Sequence, residues 1–296
     1  MASSGKTLAD IKWNTRQRLQ YIELMAYYTG IVTRSDIARA FGISDAAATK
    51  DLKLYGDLAP DNLVYKHNVF GFIPGISFKE LFNELSAEKV LKIIAENTPV
   101  TGSPIEKNLI FGVSVEALPL PLRLPSKPIL AQIIRALKNH KKLEIVYRSL
   151  SERESDERRI IEPHSLANTG LRWHARAYSV DTFDFRDFVL SRITEARVSD
   201  EQAESSSMYD DDWVEIVTIH LAPHPGLSGK QRLGLLTDYK ASDDLIQIEV
   251  KRSLVGYLLQ RLSVDTTADH SLNPGAYQLV VANRDEIEPF AGWAFL

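Results

Sequence analysis

Hydrophobic spacing changes character several times along this chain, and the changes outline its parts. Leu19, Ile22, Met25 and Ala26 fall on one face of a helix that Thr15 can cap and Gly30 ends. A second, short helix follows from Thr33 or Ser35, with Ile37, Ala38 and Phe41 inward. Gly42 then makes a turn, Ile43 plugs it, and Ser44 caps a third helix with Asp45 well placed in its first turn. On that helix Ala48, Leu52 and Tyr55 share one side, and Ala46, Thr49, Lys50 and Lys53 share the other. Residues 63–73 read as two short strands around a Lys66-His67-Asn68 tip. Residues 78–97 return to helical spacing through Leu81, Phe82, Leu85, Val90, Leu91 and Ile94.

Further along, Pro104, Pro119, Pro121, Pro125 and Pro128 mark 99–126 as a linker or crossing arm. Residues 127–198 begin with a helix carrying Ile129, Ile133, Ile134 and Leu137. They continue as strands over 143–148, 158–163, 172–179 and 185–192, a spacing that predicts a small β-barrel. Residues 199–212, with five acidic side chains before Asp212, read as an acidic linker. From 213 onward strands and helices alternate, which predicts a small α+β domain. The fold class expected is α+β multidomain, with a winged helix-turn-helix domain over 1–98, a barrel over 127–198 and the last domain over 213–296.

With 296 residues the chain has room for two or three cores. It has no cysteine, which excludes disulfides, thiol catalysis and cysteine-ligated metal. No apolar run reaches the roughly 18–20 residues that span a bilayer, and the polar start has no signal-peptide core. A cytoplasmic protein without membrane contact is expected. The net charge of −4 is unevenly spread: residues 199–296 hold 16 acidic residues against 7 lysines and arginines, whereas 1–60 and 126–198 are basic. Because electrostatic attraction acts over a Debye length of about 10 Å, the local balance decides whether a face meets phosphate. The C-terminal third is therefore a poor nucleic-acid surface and the natural place for self-association.

Two short helices around a glycine turn let one helix rest on a DNA backbone while the next enters the major groove. Thr49, Lys50 and Lys53 supply small and cationic groups for that face. Ser44 and Asp45 stand at the helix start, where backbone N–H groups can meet phosphate. Arg34 is a further contact candidate, and Lys66 and His67 suit a wing reaching flanking phosphates or the minor groove. The alternative is a helical bundle whose charged side is merely solvated.

The segment Gly170-Leu171-Arg172-Trp173-His174-Ala175-Arg176-Ala177-Tyr178, followed by Phe185-Arg186-Asp187-Phe188-Val189-Leu190-Ser191-Arg192-Ile193, resembles the WYL domain. In that family a Trp-Tyr-Leu strand precedes an Arg-x-Phe-x-x-x-Arg-Ile strand; here His174 and Ala175 replace the Tyr and Leu. Over its whole length the chain resembles WYL-domain transcriptional regulators, most of all repressors of anti-phage defence islands (BREX- and CBASS-associated). The resemblance implies a small Sm/SH3-like barrel and a pocket for a nucleotide or nucleic-acid fragment whose binding alters DNA affinity. Strand alternation sets Arg172, His174, Arg176 and Tyr178 on one face, expensive to bury and suited to an anionic, ring-bearing ligand. Arg186 and Arg192 share a face of the next strand, and Tyr147 and His164 end neighbouring strands. The candidate ligand residues are Tyr147, His164, His174, Arg176, Arg186 and Arg192. A solvated face with cross-strand ion pairs to Glu144, Glu162 or Asp187 is the alternative.

No phosphate-binding glycine loop and no nucleophile elbow is present. Pro223 and Pro225 interrupt the His220/His224 pair, so no metal, cofactor or enzyme activity is expected. The expected partners are a palindromic operator in double-stranded DNA, a second copy of the chain and a nucleotide or oligonucleotide effector. The rivals are an accessory nucleic-acid-binding module in a phage-defence complex and, further off, a metal-dependent nuclease.

Overall fold

The computed structural model describes residues 11–296 apart from 83–84, 97–112, 114, 117, 151–156 and 242. Two compact units divide at residues 120 and 121. Most of the expected 99–126 linker lies outside the described residues, and its described part carries no helix or strand. Among the described residues no helix is long and apolar enough to cross a membrane.

The first unit contains α1 (Trp13–Thr29), α2 (Arg34–Phe41), α3 (Asp45–Leu58), a hairpin of β1 (Leu63–Lys66) and β2 (Gly71–Pro74), and α4 (Ala87–Glu96). Thr15 is not the cap expected of it: α1 already starts at Trp13, and Lys12 at its N-cap makes no side-chain bond. Thr33, rather than Ser35, caps α2 in a reciprocal box with Asp36. Gly42 ends α2 at φ 63, a left-handed conformation that glycine adopts at little steric cost. Leu19, Ile22, Ile37, Ala48, Leu52 and Tyr55 form one core.

The helix expected over 78–97 is shorter, because other groups take its first turns' backbone. Asn62 bonds both the N–H and the carbonyl of Lys79, and Glu23 accepts the N–H groups of Leu81 and Phe82. Residues 78–82 therefore stay irregular.

The second unit opens with α5 (Lys127–Asn139), followed by β3 (Lys141–Tyr147), β4 (Glu157–Asn168), β5 (Trp173–Ser179), β6 (Asp184–Val189) and β7 (Ile193–Gln202). These antiparallel strands form one five-stranded sheet in the order β6-β5-β4-β3-β7. The sheet does not close into the barrel expected from strand spacing: β6 and β7 are its two edges, and no ladder joins them among the described residues. Register shifts in β3 and β4 bend it. Ile133 and Ala136 of α5 pack against Leu143, Ile145, Ile161, Ala175 and Ala177.

Residues 199–212 are not a linker. β7 runs on through Gln202, a 3-10 turn covers Ser207–Tyr209, and a single helical turn, α6 (Asp211–Val214), follows. The acidic composition was misread because Asp210, in the middle of this run, is 1% exposed and ion-paired.

Beyond it come β8 (Ile216–Pro223), α7 (Gly229–Asp238), β9 (Ile246–Lys251), α8 (Val255–Arg261), β10 (Val264–Asp265), β11 (Leu279–Val281) and α9 (Arg284–Ala291). The sheet order is β10-β11-β8-β9, and helices α8 and α9 contribute Val255, Leu259 and Ile287 to its core. Periodicity missed β10 and α9. The first has two residues, and the second has eight with Pro289 inside it.

Candidate nucleic-acid interface and anion site

The outward side of α3 follows from how the helix is anchored. Ser44 at the N-cap accepts the Ala47 N–H at 3.3 Å, which fixes the first turn. Arg18 of α1 grips Asp51 through two bonds, at 2.6 and 3.1 Å. Tyr55, fully buried, donates to Glu23 at 3.0 Å, and Glu23 is itself fully buried among the Leu81 and Phe82 N–H groups. These anchors turn Ala48, Asp51, Leu52 and Tyr55 inward and leave Ala46, Thr49, Lys50 and Lys53 exposed. Among the described residues neither lysine enters an ion pair. Thr49 bonds its hydroxyl back to the Asp45 carbonyl at 2.8 Å and is exposed. Arg34 is not free; its guanidinium lies 3.6 Å from the exposed Asp45 carboxylate.

Glu23 is a position that sequence reasoning missed, since a helical glutamate reads as solvent-facing. Replacing it with alanine takes the acceptor from the Tyr55 O–H and from the Leu81 and Phe82 N–H groups, and Tyr55 keeps only the bond it accepts from Asn62. At roughly 1–3 kcal/mol for each unsatisfied group, the first unit should lose several kcal/mol. Thermal unfolding of Glu23→Ala measures this; a melting temperature equal to that of the parent would show the network to be dispensable.

The hairpin tip is a 3-10 turn, His67–Val69, with Lys66 and His67 exposed and the Tyr65 ring edge-on to His67 at 5.0 Å. Phe70 closes the tip at φ 50 and is 80% exposed. The first unit thus brings Arg34, Ser44, Asp45, Thr49, Lys50 and Lys53 onto one outward region of two adjoining helices, with Lys66 and His67 on the hairpin.

The six candidate ligand residues do not form one pocket. Tyr147 is core, packed edge-on against Phe188 and accepting the Val189 N–H. Arg186 is exposed beside Asp184. Arg192 is not on the same strand as Arg186: β6 ends at Val189, and a 3-10 turn, Leu190–Arg192, follows. His164 and Arg176 converge on Asp210. The Arg176 guanidinium makes two bonds to that carboxylate, at 2.6 and 2.9 Å, with Asp187 at 3.5 Å and Asp212 at 3.7 Å. His164 Nε2 lies 3.1 Å from Asp210.

Of the face judged costly to bury, Arg176 is therefore buried, and intramolecular carboxylates compensate it. Burial by itself would raise the Asp210 carboxyl, but Arg176 and then His164 outweigh it and hold the group below its ordinary value. Burial pushes the His164 imidazole down despite Asp210.

His174 stands apart from that network. It is 0% exposed, and neither ring nitrogen has a hydrogen-bond partner. The Tyr257 ring of α8 lies against it at 4.8 Å, and the Arg172 guanidinium is 6.0 Å from the same ring. Burial, then the charges of Arg172, Arg192 and Arg123, push the imidazole down to about 4, so it is neutral at physiological pH. Among the described residues no group of three or more histidines and acids could hold a metal.

Three family models match consecutive segments. They are the BrxR transcriptional regulator winged helix-turn-helix domain over residues 14–96, the WYL domain over 128–198, and the BrxR transcriptional regulator C-terminal dimerization domain over 216–287. The chain is 32% identical over 290 residues to the DNA-binding transcriptional repressor CapW of Escherichia coli (strain KTE188), covering 96% of this chain and 94% of that one. It is 30% identical to CapW of Stenotrophomonas maltophilia, with 97% and 95% covered, and 32% identical to that of Pseudomonas aeruginosa, with 94% and 92% covered. Likeness at this level, over more than nine-tenths of each chain, shows a transcriptional regulator rather than an enzyme. The chain belongs to the CapW family of DNA-binding transcriptional repressors, with a winged helix, a WYL domain and a BrxR-type dimerization domain in that order.

Proposed function

We propose that this repressor binds an inverted-repeat operator as a homodimer, and that a nucleotide or oligonucleotide effector at the WYL face controls its DNA affinity. The observation that carries the DNA reading is the solvent-facing Thr49, Lys50 and Lys53 row on a helix anchored by Ser44, Arg18 and Glu23. In this reading α3 enters the major groove, Arg34, Ser44 and Asp45 order its approach to the backbone, and Lys66 and His67 reach the flanking groove. One short helix reads only a few base pairs, so two copies on a symmetric site multiply specificity.

The C-terminal domain supports pairing. It matches the family's dimerization domain and exposes Ile216, Leu233 and Trp293 at 56–67%, apolar surface of the kind an interface covers. The bent five-stranded sheet preceded by α5 agrees with an Sm/SH3-like barrel left open at one seam. Regulation of anti-phage defence genes is the physiological role, and the effector works by changing the spacing of the two winged helices.

Footprinting on the DNA upstream of the gene tests the first part. Protection of a short palindrome, with half-sites about 10 bp or a multiple of it apart, is expected. Protection without a preferred site would favour an accessory nucleic-acid-binding module instead. Titration of the operator complex with nucleotides and short single strands tests the second part.

A further inference from the structure

The tip of the β1–β2 hairpin combines two unfavourable features in one residue. Phe70 leaves its side chain 80% exposed, and its backbone stands at φ 50 and ψ 34, a left-handed conformation that strains a bulky L residue. Glycine or asparagine suits such a position better. The rest of the hairpin holds this tip in place. Val32, one residue before the Thr33 cap of α2, exchanges two backbone hydrogen bonds with Phe72, at 2.8 and 2.9 Å. The hairpin is thereby tied to the segment that opens α2, where Arg34 lies beside Asp45 of α3. Tyr65 packs edge-on against Phe72 at 5.1 Å and against His67 at 5.0 Å, and Lys66, His67 and Asn68 are exposed. From Asn62 to Lys79 the chain has no acidic residue.

We propose that Phe70 is an apolar wedge that enters the minor groove beside each half-site and opens a base step there. The proposal rests on the operator reading of α3, and it names what the hairpin tip adds to that reading. Phenylalanine is one of the side chains that partly unstack a step from the minor groove and bend the duplex towards the major groove. The surroundings fit this occupant. Lys66 and His67 stand ready for the phosphates that border the groove, and no neighbouring carboxylate in the hairpin repels the backbone. A second copy of the hairpin is a poorer occupant, because it sets two Lys66 charges against each other. Opening costs least at pyrimidine–purine steps, so the wedge reads deformability at positions that α3 does not touch.

Phe70→Asn suits the left-handed backbone and removes the ring, so it separates the wedge from a structural role. The full-length variant should melt no lower than the parent, yet bind the footprinted operator duplex about tenfold or more weakly. Its logarithmic salt slope should equal the parent's, since no charge is lost. Phe70→Leu, which keeps an apolar wedge, should retain most of the affinity. 2-Aminopurine placed in turn at the steps flanking each half-site should brighten at one step with the parent and stay dark with Phe70→Asn. Exchanging that step for the stiffer AA should weaken the parent and leave Phe70→Asn little changed. Parent affinity in Phe70→Asn, equal brightening, or lost affinity together with a lower melting temperature overturns the wedge. If Lys50→Ala/Lys53→Ala loses the operator while Phe70→Asn keeps it, the wedge falls and the operator reading stands. If the parent protects no preferred site, the operator reading falls and the wedge with it.

Discussion

Lys50→Ala/Lys53→Ala should bind the operator about a thousandfold more weakly than the parent while melting at the same temperature. Both lysines are exposed, and their removal uncovers no core atom, since Ala48, Leu52 and Tyr55 fill the opposite side of α3. A dimer on a paired site presents each lysine twice, so four contacts disappear. At about 1 kcal/mol per contact this is about 4 kcal/mol, or three decades in affinity. If the lysines meet phosphates, each releases close to one counterion, and the salt dependence should flatten by about three to four units in logarithmic slope. Fluorescence anisotropy with the operator at several salt concentrations gives both numbers. Unchanged affinity in the double variant would move the DNA surface away from α3. A salt slope equal to the parent's, with lost affinity, would instead assign the lysines to base edges.

The second large effect is expected far from DNA. Asp210→Ala leaves the Arg176 guanidinium 5% exposed with its bidentate partner gone. Breaking a buried pair from one side costs about 3–5 kcal/mol when the remaining charge stays desolvated, and the low end is expected here because Asp187 and Asp212 still face Arg176. For a unit of this size that corresponds to a fall of about 10 °C in the melting of the second unit. Replacing both partners by apolar residues, Arg176→Met with Asp210→Leu, should recover much of the loss.

The pH dependence has a definite sign. The folded Asp210 carboxyl lies below its ordinary value, so its contribution is complete above the unfolded value of about 4. It disappears as pH falls below that through the folded value. The gap between the unfolding curves of the parent and of Asp210→Ala should therefore be constant from neutral pH down to about 4 and narrow as the pH falls further. A gap that does not narrow there would show that the pair is not what stabilises this region.

Some of this molecule was legible from residue spacing. The Ser44 cap, the Gly42 turn and the alternation of Ala48, Leu52 and Tyr55 with Thr49, Lys50 and Lys53 are local rules, acting within one or two helical turns. Strands β3 to β6 of the second unit were expected for the same reason, although β4 runs to Asn168, five residues past the expected end, and β7 was not expected. Errors arose where a distant group replaced a local one. Glu23 and Asn62 took backbone bonds that a helix over 78–82 would have made. An aspartate in a run of acids became the buried partner of an arginine 34 residues earlier.

The candidate ligand face shows the same division. Strand alternation set Arg172, His174 and Arg176 on one side of β5, and that geometry is what two-residue periodicity dictates. Only the folded chain decided that Arg176 meets Asp187, Asp210 and Asp212, whereas His174 lies against the Tyr257 ring with neither nitrogen bonded. Alternation fixes which way a side chain points and carries no information about what arrives from elsewhere in the chain to meet it. Sequence alone thus determined the exposed, lysine-bearing side of α3 and the order of the domains. Tertiary structure decided which buried charges are satisfied at home, because charge compensation depends on distances of a few ångströms between residues far apart in the chain.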